Sequence, residues 1–128
     1  EQSMDFTKTD KLPIVEKELT IADMLDKTSS TKRRGAVMVA GKSGRLEGII
    51  TDADLRRLFM DTKSEGFSRT VESVMTANCK YVQTSTLASE AMAIFHKYRI
   101  DELPVVDEDL KPVGMIDVQD IVSIKLSR

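Results

Sequence analysis

The sequence predicts an α+β fold built from two β-α-β-β-α repeats that pack about a pseudo-twofold axis. The first observation is a duplicated motif: residues 48–54 read GIITDAD, and residues 114–120 read GMIDVQD, 66 positions later. The second is the pattern around both copies, in which apolar strands and amphipathic helices follow in the same order. Because the repeat occurs twice and fills the chain, it predicts one paired domain rather than a long array.

Each predicted element rests on a local signal. Pro13 biases the residue before it toward an extended conformation, and Thr20 precedes apolar residues at helical spacing, as a helix N-cap does. In the first repeat we expect a strand at 14–15, a helix from 21, a strand at 36–40, a glycine-rich hairpin turn at 41–44, a strand at 46–51, and a helix capped by Thr51 or Asp52. In the second we expect strands at 81–82, 103–106 and 113–116, and helices at 87–98 and 118–126.

The boundary between the repeats is predicted at a polar stretch. Residues 61–70 contain Gly66 and few apolar side chains, so we interpret them as a linker, with residues 71–75 beginning the second half. The predicted domains are therefore 1–65, a first repeat with its N-terminal lead-in, and 66–128, the second repeat.

Composition excludes several classes of protein. The chain has 128 residues, of which 41% are hydrophobic and 31% charged, with a net charge of −2. These values suit a domain with its own core and indicate neither nucleic acid nor an anionic membrane as a partner. We found neither an apolar run of 18 residues nor a signal peptide, so we expect a cytoplasmic location. The first residue is Glu1, so we expect a fragment of a longer protein.

Catalytic and metal-binding patterns were not found in the sequence. Cys79 is the only cysteine and His96 the only histidine, so an internal disulfide and an ordinary zinc site are both excluded, and Cys79 is expected to be structural. No set of nucleophile, base and orienting group could be identified. We therefore predict no catalytic residues, no metal site and no required cofactor in this chain.

The element order and several short motifs resemble the CBS domain, and two in tandem look like a Bateman module. The resemblance covers nearly the whole chain. It rests on the GIITDADL run at 48–55, the SVMT sequence at 73–76 and the LPVVD sequence at 103–107.

A narrower resemblance points to one group of these proteins. Residues 9–13 (TDKLP) and 51–57 (TDADLRR) are similar to the CBS region of arabinose-5-phosphate isomerases, which carry an N-terminal SIS domain and make the precursor of the lipopolysaccharide sugar Kdo. Residues 6–7 and 78–79 depart from that pattern. The resemblance implies that the parent protein is an aldose-ketose isomerase and that its SIS domain is missing here.

In CBS domains the strand-to-helix motif commonly binds a nucleotide. The resemblance implies that the Thr51 hydroxyl binds phosphate or ribose and that the Asp54 carboxylate binds ribose hydroxyls. Helix N-termini also attract phosphate through unpaired N–H groups and the positive end of the helix dipole. The full set of predicted ligand-binding residues is Gly48, Thr51, Asp52, Asp54, Arg56, Arg57, Arg34 and Asp120.

A purely structural interpretation of the motif is also open. Thr51 or Asp52 would cap the helix, and Asp54 in the first turn would suit the helix dipole without any ligand. The second motif is expected to be the weaker site, because Asp117 replaces the hydroxyl and its charge would repel a phosphate.

The function predicted from these observations is regulatory. The CBS pair would bind a nucleotide-type effector, either CMP-Kdo as an end-product signal or an adenine nucleotide such as AMP or ATP, and act on the SIS domain. The module would also form a homo-oligomer, as a dimer of CBS pairs. The alternative is a ligand-free oligomerisation module, and thermal stability with added nucleotides distinguishes the two.

Overall fold

Two small sheets, one in each half, carry the fold. The computed structural model describes residues 12–29 and 35–126. The first half contains β1 (Ile14–Glu16), α1 (Ile21–Thr28), β2 (Ala36–Ala40), β3 (Leu46–Thr51) and α2 (Asp52–Thr62), then a 3₁₀ helix (Lys63–Ser68), α3 (Val71–Val74) and β4 (Thr76–Ala77). The second half contains β5 (Val82–Gln83), α4 (Ala88–Tyr98), β6 (Glu102–Val106), β7 (Pro112–Asp117) and α5 (Val118–Leu126). The strand orders are β1-β2-β3-β4 and β5-β6-β7.

The two hairpins are equivalent residue by residue. Val39 lies opposite Gly48 in the first and Val105 opposite Gly114 in the second, and each hairpin has a register shift directly after that valine. In both halves the outer strand, β1 or β5, pairs in parallel with the next. The predicted α+β fold of two β-α-β-β-α repeats is confirmed.

Buried side chains form three clusters rather than one shared core. The two faces of β2 separate them, because successive side chains of a strand point to opposite sides. Val37 and Val39 pack within the first half, whereas Met38 packs against Met115 of the second half. Leu103 of β6 belongs to the second-half cluster. Strands β2 and β6 therefore do not share one core: β2 is divided between its own half and the interface, and Leu103 and Val105 of β6 belong to the second-half cluster.

The stretch predicted as a linker is folded. Helix α2 continues to Thr62, and the 3₁₀ helix folds back on it, with the Phe67 and Phe59 rings 4.6 Å apart between centroids. Gly66 is buried there, and a Cβ on it would lie 2.9 Å from Cδ1 of Phe59. A linker was predicted because the segment is mostly polar, and a polar composition indicates exposure to solvent. The segment is nevertheless held in place by one aromatic contact and one buried glycine.

The residues that follow pack on the first half. Val71 is fully buried in the first-half cluster, and β4 pairs with β3, with Thr76 opposite Ile49. Residues 71–75, with which the second repeat was predicted to begin, therefore pack on the first half. The boundary between residues 65 and 66 divides the sequence repeats and stays a prediction.

Among the described helices, none is both long and apolar enough to cross a membrane.

Candidate functional site

A cleft of about 510 Å³ lies between the halves, at the N-terminus of α2. Its walls come from both repeats: the end of β3 and the first turn of α2 on one side, and the segments before β5 and β6 on the other. The lining residues are Gly35, Ile49, Thr51, Asp52, Ala53, Asp54, Arg57, Thr76, Asn78, Cys79, Lys80, Arg99, Ile100, Asp101 and Glu102.

Thr51 and Asp54 form a capping box at the start of α2. The Asp54 backbone N–H donates to Thr51 Oγ1 at 3.1 Å, and the Thr51 backbone N–H donates to Asp54 Oδ2 at 2.9 Å. Thr51 is therefore the N-cap, which settles the sequence alternative between Thr51 and Asp52. The Thr51 hydroxyl can still donate one hydrogen bond to a ligand, and both carboxylate oxygens of Asp54 can accept further hydrogen bonds.

Arg57 holds the other oxygen of the same carboxylate. Its Nη2 donates to Asp54 Oδ1, one helical turn away. The Asp54 side chain is 13% exposed, whereas that of Arg57 is 70% exposed. The carboxylate is thus fixed from two sides while the guanidinium remains open to an additional anion.

Two cations face this turn from the second half. Lys80 lies before β5, with its Nζ 4.3 Å from the centre of the Tyr98 ring. Arg99 ends α4 in the left-handed conformation, with φ 52° and ψ 48°. Both side chains are exposed and line the cleft, so they add positive charge opposite the N-terminus of α2.

Glu102 gives the cleft an acidic wall. Partial burial, and then the charges of Asp101, Asp117 and Asp52, raise the pKa of Glu102 to about 7. Its carboxylate lies over Gly35, since a Cβ on that glycine would be 2.9 Å from Glu102 Oε2 and 3.8 Å from Asp52 Oδ2. Gly35 has φ +87°, a conformation that also favours glycine.

Cys79 lines the cleft but is not activated. Burial raises the pKa of its thiol to about 11, so it is protonated at neutral pH. This agrees with the expectation that Cys79 has no chemical role.

The cleft brings together four of the residues predicted from the sequence: Thr51, Asp52, Asp54 and Arg57. Arg56 is exposed but does not line it, and Arg34 lies outside the described residues. Gly48 is not part of the lining either. A Cβ there would lie 2.7 Å from the Thr76 carbonyl oxygen, so the close approach at Gly48 is made by β4, not by the cleft.

Asp120 lies at the equivalent turn of the second repeat, outside this cleft. Its backbone N–H donates to Asp117 Oδ1 at 3.0 Å, and the Asp117 N–H donates to Asp120 Oδ2 at 2.8 Å. The second motif therefore keeps the capping box with a carboxylate in place of the hydroxyl.

The residues that the second half contributes to the wall of the cleft were not predicted from the sequence. Lys80, Arg99 and Asp101 lie before the strands of the second repeat and Glu102 begins β6, and neither periodicity nor a motif marks them as site residues. The duplication could have indicated these residues, because a paired fold places the start of one repeat near the motif of the other.

This arrangement can bind a phosphorylated, polyhydroxylated molecule. Hydroxyl groups suit the Asp54 carboxylate, and an anion suits the helix N-terminus together with Arg57, Lys80 and Arg99. Ile49, Ala53 and Ile100 supply apolar surface for a ring.

A family model described as the CBS domain matches residues 5–61 and 71–127. Over 91 residues, the chain is 38% identical to arabinose 5-phosphate isomerase KdsD of Pseudomonas aeruginosa, an alignment that covers 71% of this chain and 28% of the relative. It is also 35% identical over 112 residues to inosine-5'-monophosphate dehydrogenase of Aquifex aeolicus, covering 87% and 22%. The chain spans about a third of the length of the first curated relatives it matches.

Solved structures share the fold. A CBS-domain containing protein from Agrobacterium tumefaciens superimposes with a TM-score of 0.77 at 24% identity, over 89% of this chain and 84% of that one. The structure of CBSX2 in complex with AMP, a protein of Arabidopsis thaliana, gives 0.77 at 24% identity over 96% and 95%. At these identities the likeness concerns the fold alone.

Proposed function

Since this chain belongs to the CBS-domain family and forms a CBS pair, we propose that it is the regulatory module of a sugar-phosphate isomerase and binds a nucleotide effector in the cleft between its repeats. The observation that carries the proposal is the cleft itself. It combines a helix N-terminus, a fixed carboxylate and three basic side chains, which are the groups that phosphate and ribose need.

The bound nucleotide is expected to lie with its ribose at Asp54. The Asp54 carboxylate is nearly buried and already held by Thr51 and Arg57, so it is oriented before a ligand arrives. The phosphate of the nucleotide would lie between the N-terminus of α2 on one side and Lys80 and Arg99 on the other. The base would contact apolar side chains of the wall.

The parent protein and the ligand are inferred from the relatives. Arabinose 5-phosphate isomerases at 31–38% identity support an isomerase parent, and its SIS domain stays a prediction from the sequence resemblance. AMP in the structure of CBSX2 supports an adenine nucleotide, whereas CMP-Kdo as an end-product signal stays a prediction from the sequence resemblance. A regulatory role requires that the effector bind two conformations of the module with different affinity.

Calorimetry with AMP, ATP and CMP-Kdo tests the proposal directly. At least one should bind the wild-type chain and raise its melting temperature. Replacement Arg99→Ala should weaken the binding roughly threefold to tenfold, because a charge-assisted contact is lost. Lys42→Ala is the matched control, since Lys42 is exposed on the β2–β3 turn and does not line the cleft. Absence of binding by all three nucleotides would contradict the proposal.

An oligomerisation module is the second candidate. It is favoured by exposed apolar side chains on α2 and the 3₁₀ helix, where Met60 is 63% and Phe67 is 45% exposed. Light scattering on the wild type and on Met60→Glu tests it. If the wild type is a dimer, Met60→Glu is a monomer and no nucleotide binds, the oligomerisation function replaces the regulatory one.

A further inference from the structure

The cleft carries an unusual amount of negative charge for a site that binds an anion. Four carboxyl groups line it, those of Asp52, Asp54, Asp101 and Glu102. The lining also contains three basic side chains, and Arg57 is already paired with Asp54. Among the described lining residues, acidic groups therefore outnumber basic ones.

Glu102 lies among other carboxyl groups. Asp101 directly precedes it in the chain, Asp117 is its cross-strand partner on β7, and Asp52 approaches from the start of α2. Burial and these three carboxylates raise the pKa of Glu102 to about 7, so it changes charge near neutral pH.

The other charged groups in the cleft are the Asp54 carboxylate, which is paired with Arg57, and the basic side chains. Gly35, below its carboxylate, contributes no side chain, and the cations that share the cleft with it are Arg57, Lys80 and Arg99. Lys32, Arg33 and Arg34 precede Gly35 in the sequence and lie outside the described residues.

We propose that Glu102 is a specificity-determining residue that limits how much negative charge the ligand can carry, and that proton uptake by Glu102 opens the cleft to more highly charged phosphate esters. The inference rests on the proposed nucleotide function and adds its selectivity. Each further phosphate increases the repulsion from an ionised carboxylate in the same cleft, so a triphosphate is penalised more than a monophosphate.

The test compares AMP and ATP at pH 6 and pH 8 by calorimetry. In the wild type the affinity for ATP relative to AMP should fall as the pH rises. In Glu102→Gln, which keeps the size of the side chain without its charge, ATP affinity at pH 8 should rise roughly threefold to tenfold and AMP affinity less, with a difference below about twofold at pH 6. The phosphate groups of AMP and ATP also change charge with pH, but they do so equally in the presence of the wild type and of the variant. Only the difference in affinity between the two proteins is therefore attributed to Glu102.

Glu108→Gln, an exposed carboxylate in the β6–β7 turn, is the matched control and should leave both affinities unchanged. If Glu102→Gln loses its fold by melting temperature, Glu102→Ala takes its place. Nucleotide binding that is unaffected by Glu102→Gln, or affected equally at both pH values, would overturn the inference and leave the proposed function intact. No binding of AMP or ATP by wild type or variant would overturn the inference, and a failure of CMP-Kdo to bind as well would overturn the proposed function.

Discussion

Thr51 and Asp54 hold each other through two reciprocal hydrogen bonds at the first turn of α2, and Asp117 and Asp120 do the same at the first turn of α5. The same local device therefore starts the last helix of each repeat. The two copies differ in what surrounds them, because Thr51 and Asp54 line the cleft described above whereas Asp117 and Asp120 do not.

This relationship provides an internal control for the site. Asp54→Ala and Asp120→Ala each remove one side of a capping box, so each should cost a similar stability, about 1 kcal/mol. Only Asp54→Ala should weaken nucleotide binding strongly, by about 1.5–3 kcal/mol or roughly tenfold to a hundredfold. Calorimetry on both variants measures the difference. If Asp120→Ala abolishes binding while Asp54→Ala is silent, the stronger site has been assigned to the wrong repeat.

The interface between the halves should be sensitive to Met115. Its side chain is fully buried against Met38 and Ile49 of the first half, so Met115→Ala should lower the free energy of unfolding by about 2–4 kcal/mol. Urea denaturation followed by circular dichroism measures this loss. Met60→Ala is the control, because Met60 is 63% exposed and should change stability by less than about 0.5 kcal/mol. Equal effects of the two substitutions would argue against a packed interface.

Replacing Gly48 with alanine should lower the stability of the fold. A Cβ there would lie 2.7 Å from the Thr76 carbonyl oxygen and 2.8 Å from Sδ of Met75, so Gly48→Ala must displace β4. The expected loss of stability is about 1–3 kcal/mol, measured by urea denaturation. Ser43→Ala in the exposed β2–β3 turn should be nearly neutral. A Gly48→Ala variant as stable as the wild type would show that the contact with β4 is not needed.

The stability of the fold should fall as the pH rises through neutrality. The pKa of Glu102 is raised from 4.5 to about 7 in the folded state, so the folded protein binds more protons than the unfolded one between these values. The contribution of Glu102 is therefore fully present below about pH 4.5 and lost as the pH rises through about 7.

Melting temperatures of the wild type and of Glu102→Gln check this sign. The wild type should lose stability relative to the variant between pH 5 and pH 8, by a modest amount because the carboxyl is only partly buried. A wild type that gains stability relative to the variant over this range would contradict the assignment.

The 128-residue chain by itself should not interconvert ribulose 5-phosphate and arabinose 5-phosphate. The two CBS matches occupy most of it, and the isomerase relatives are about two and a half times as long. A coupled assay for arabinose 5-phosphate checks this expectation. Turnover above that of a heat-treated sample would show that catalytic groups were overlooked.

The sequence by itself determined the repeat and its local structure. Apolar residues at periods of two and 3.6 predicted the strands and helices, and the offset between Gly48 and Gly114 carried through to equivalent strand registers. A helix start could be predicted at Thr51 or Asp52 because capping signals lie within a few consecutive residues, and the structure identifies Thr51 as the N-cap. Such signals depend on neighbours along the chain, which a single sequence contains.

Only the tertiary structure decided what lies opposite that turn. Arg99 and Glu102 reach the cleft because the two halves pack through Met38 and Met115, and those contacts join residues far apart in the chain. The same reason explains the folded stretch after α2, where a buried Gly66 lets the segment close on Phe59. Local patterns report which face of an element is apolar, but the partner of that face is set by the packing of the whole domain.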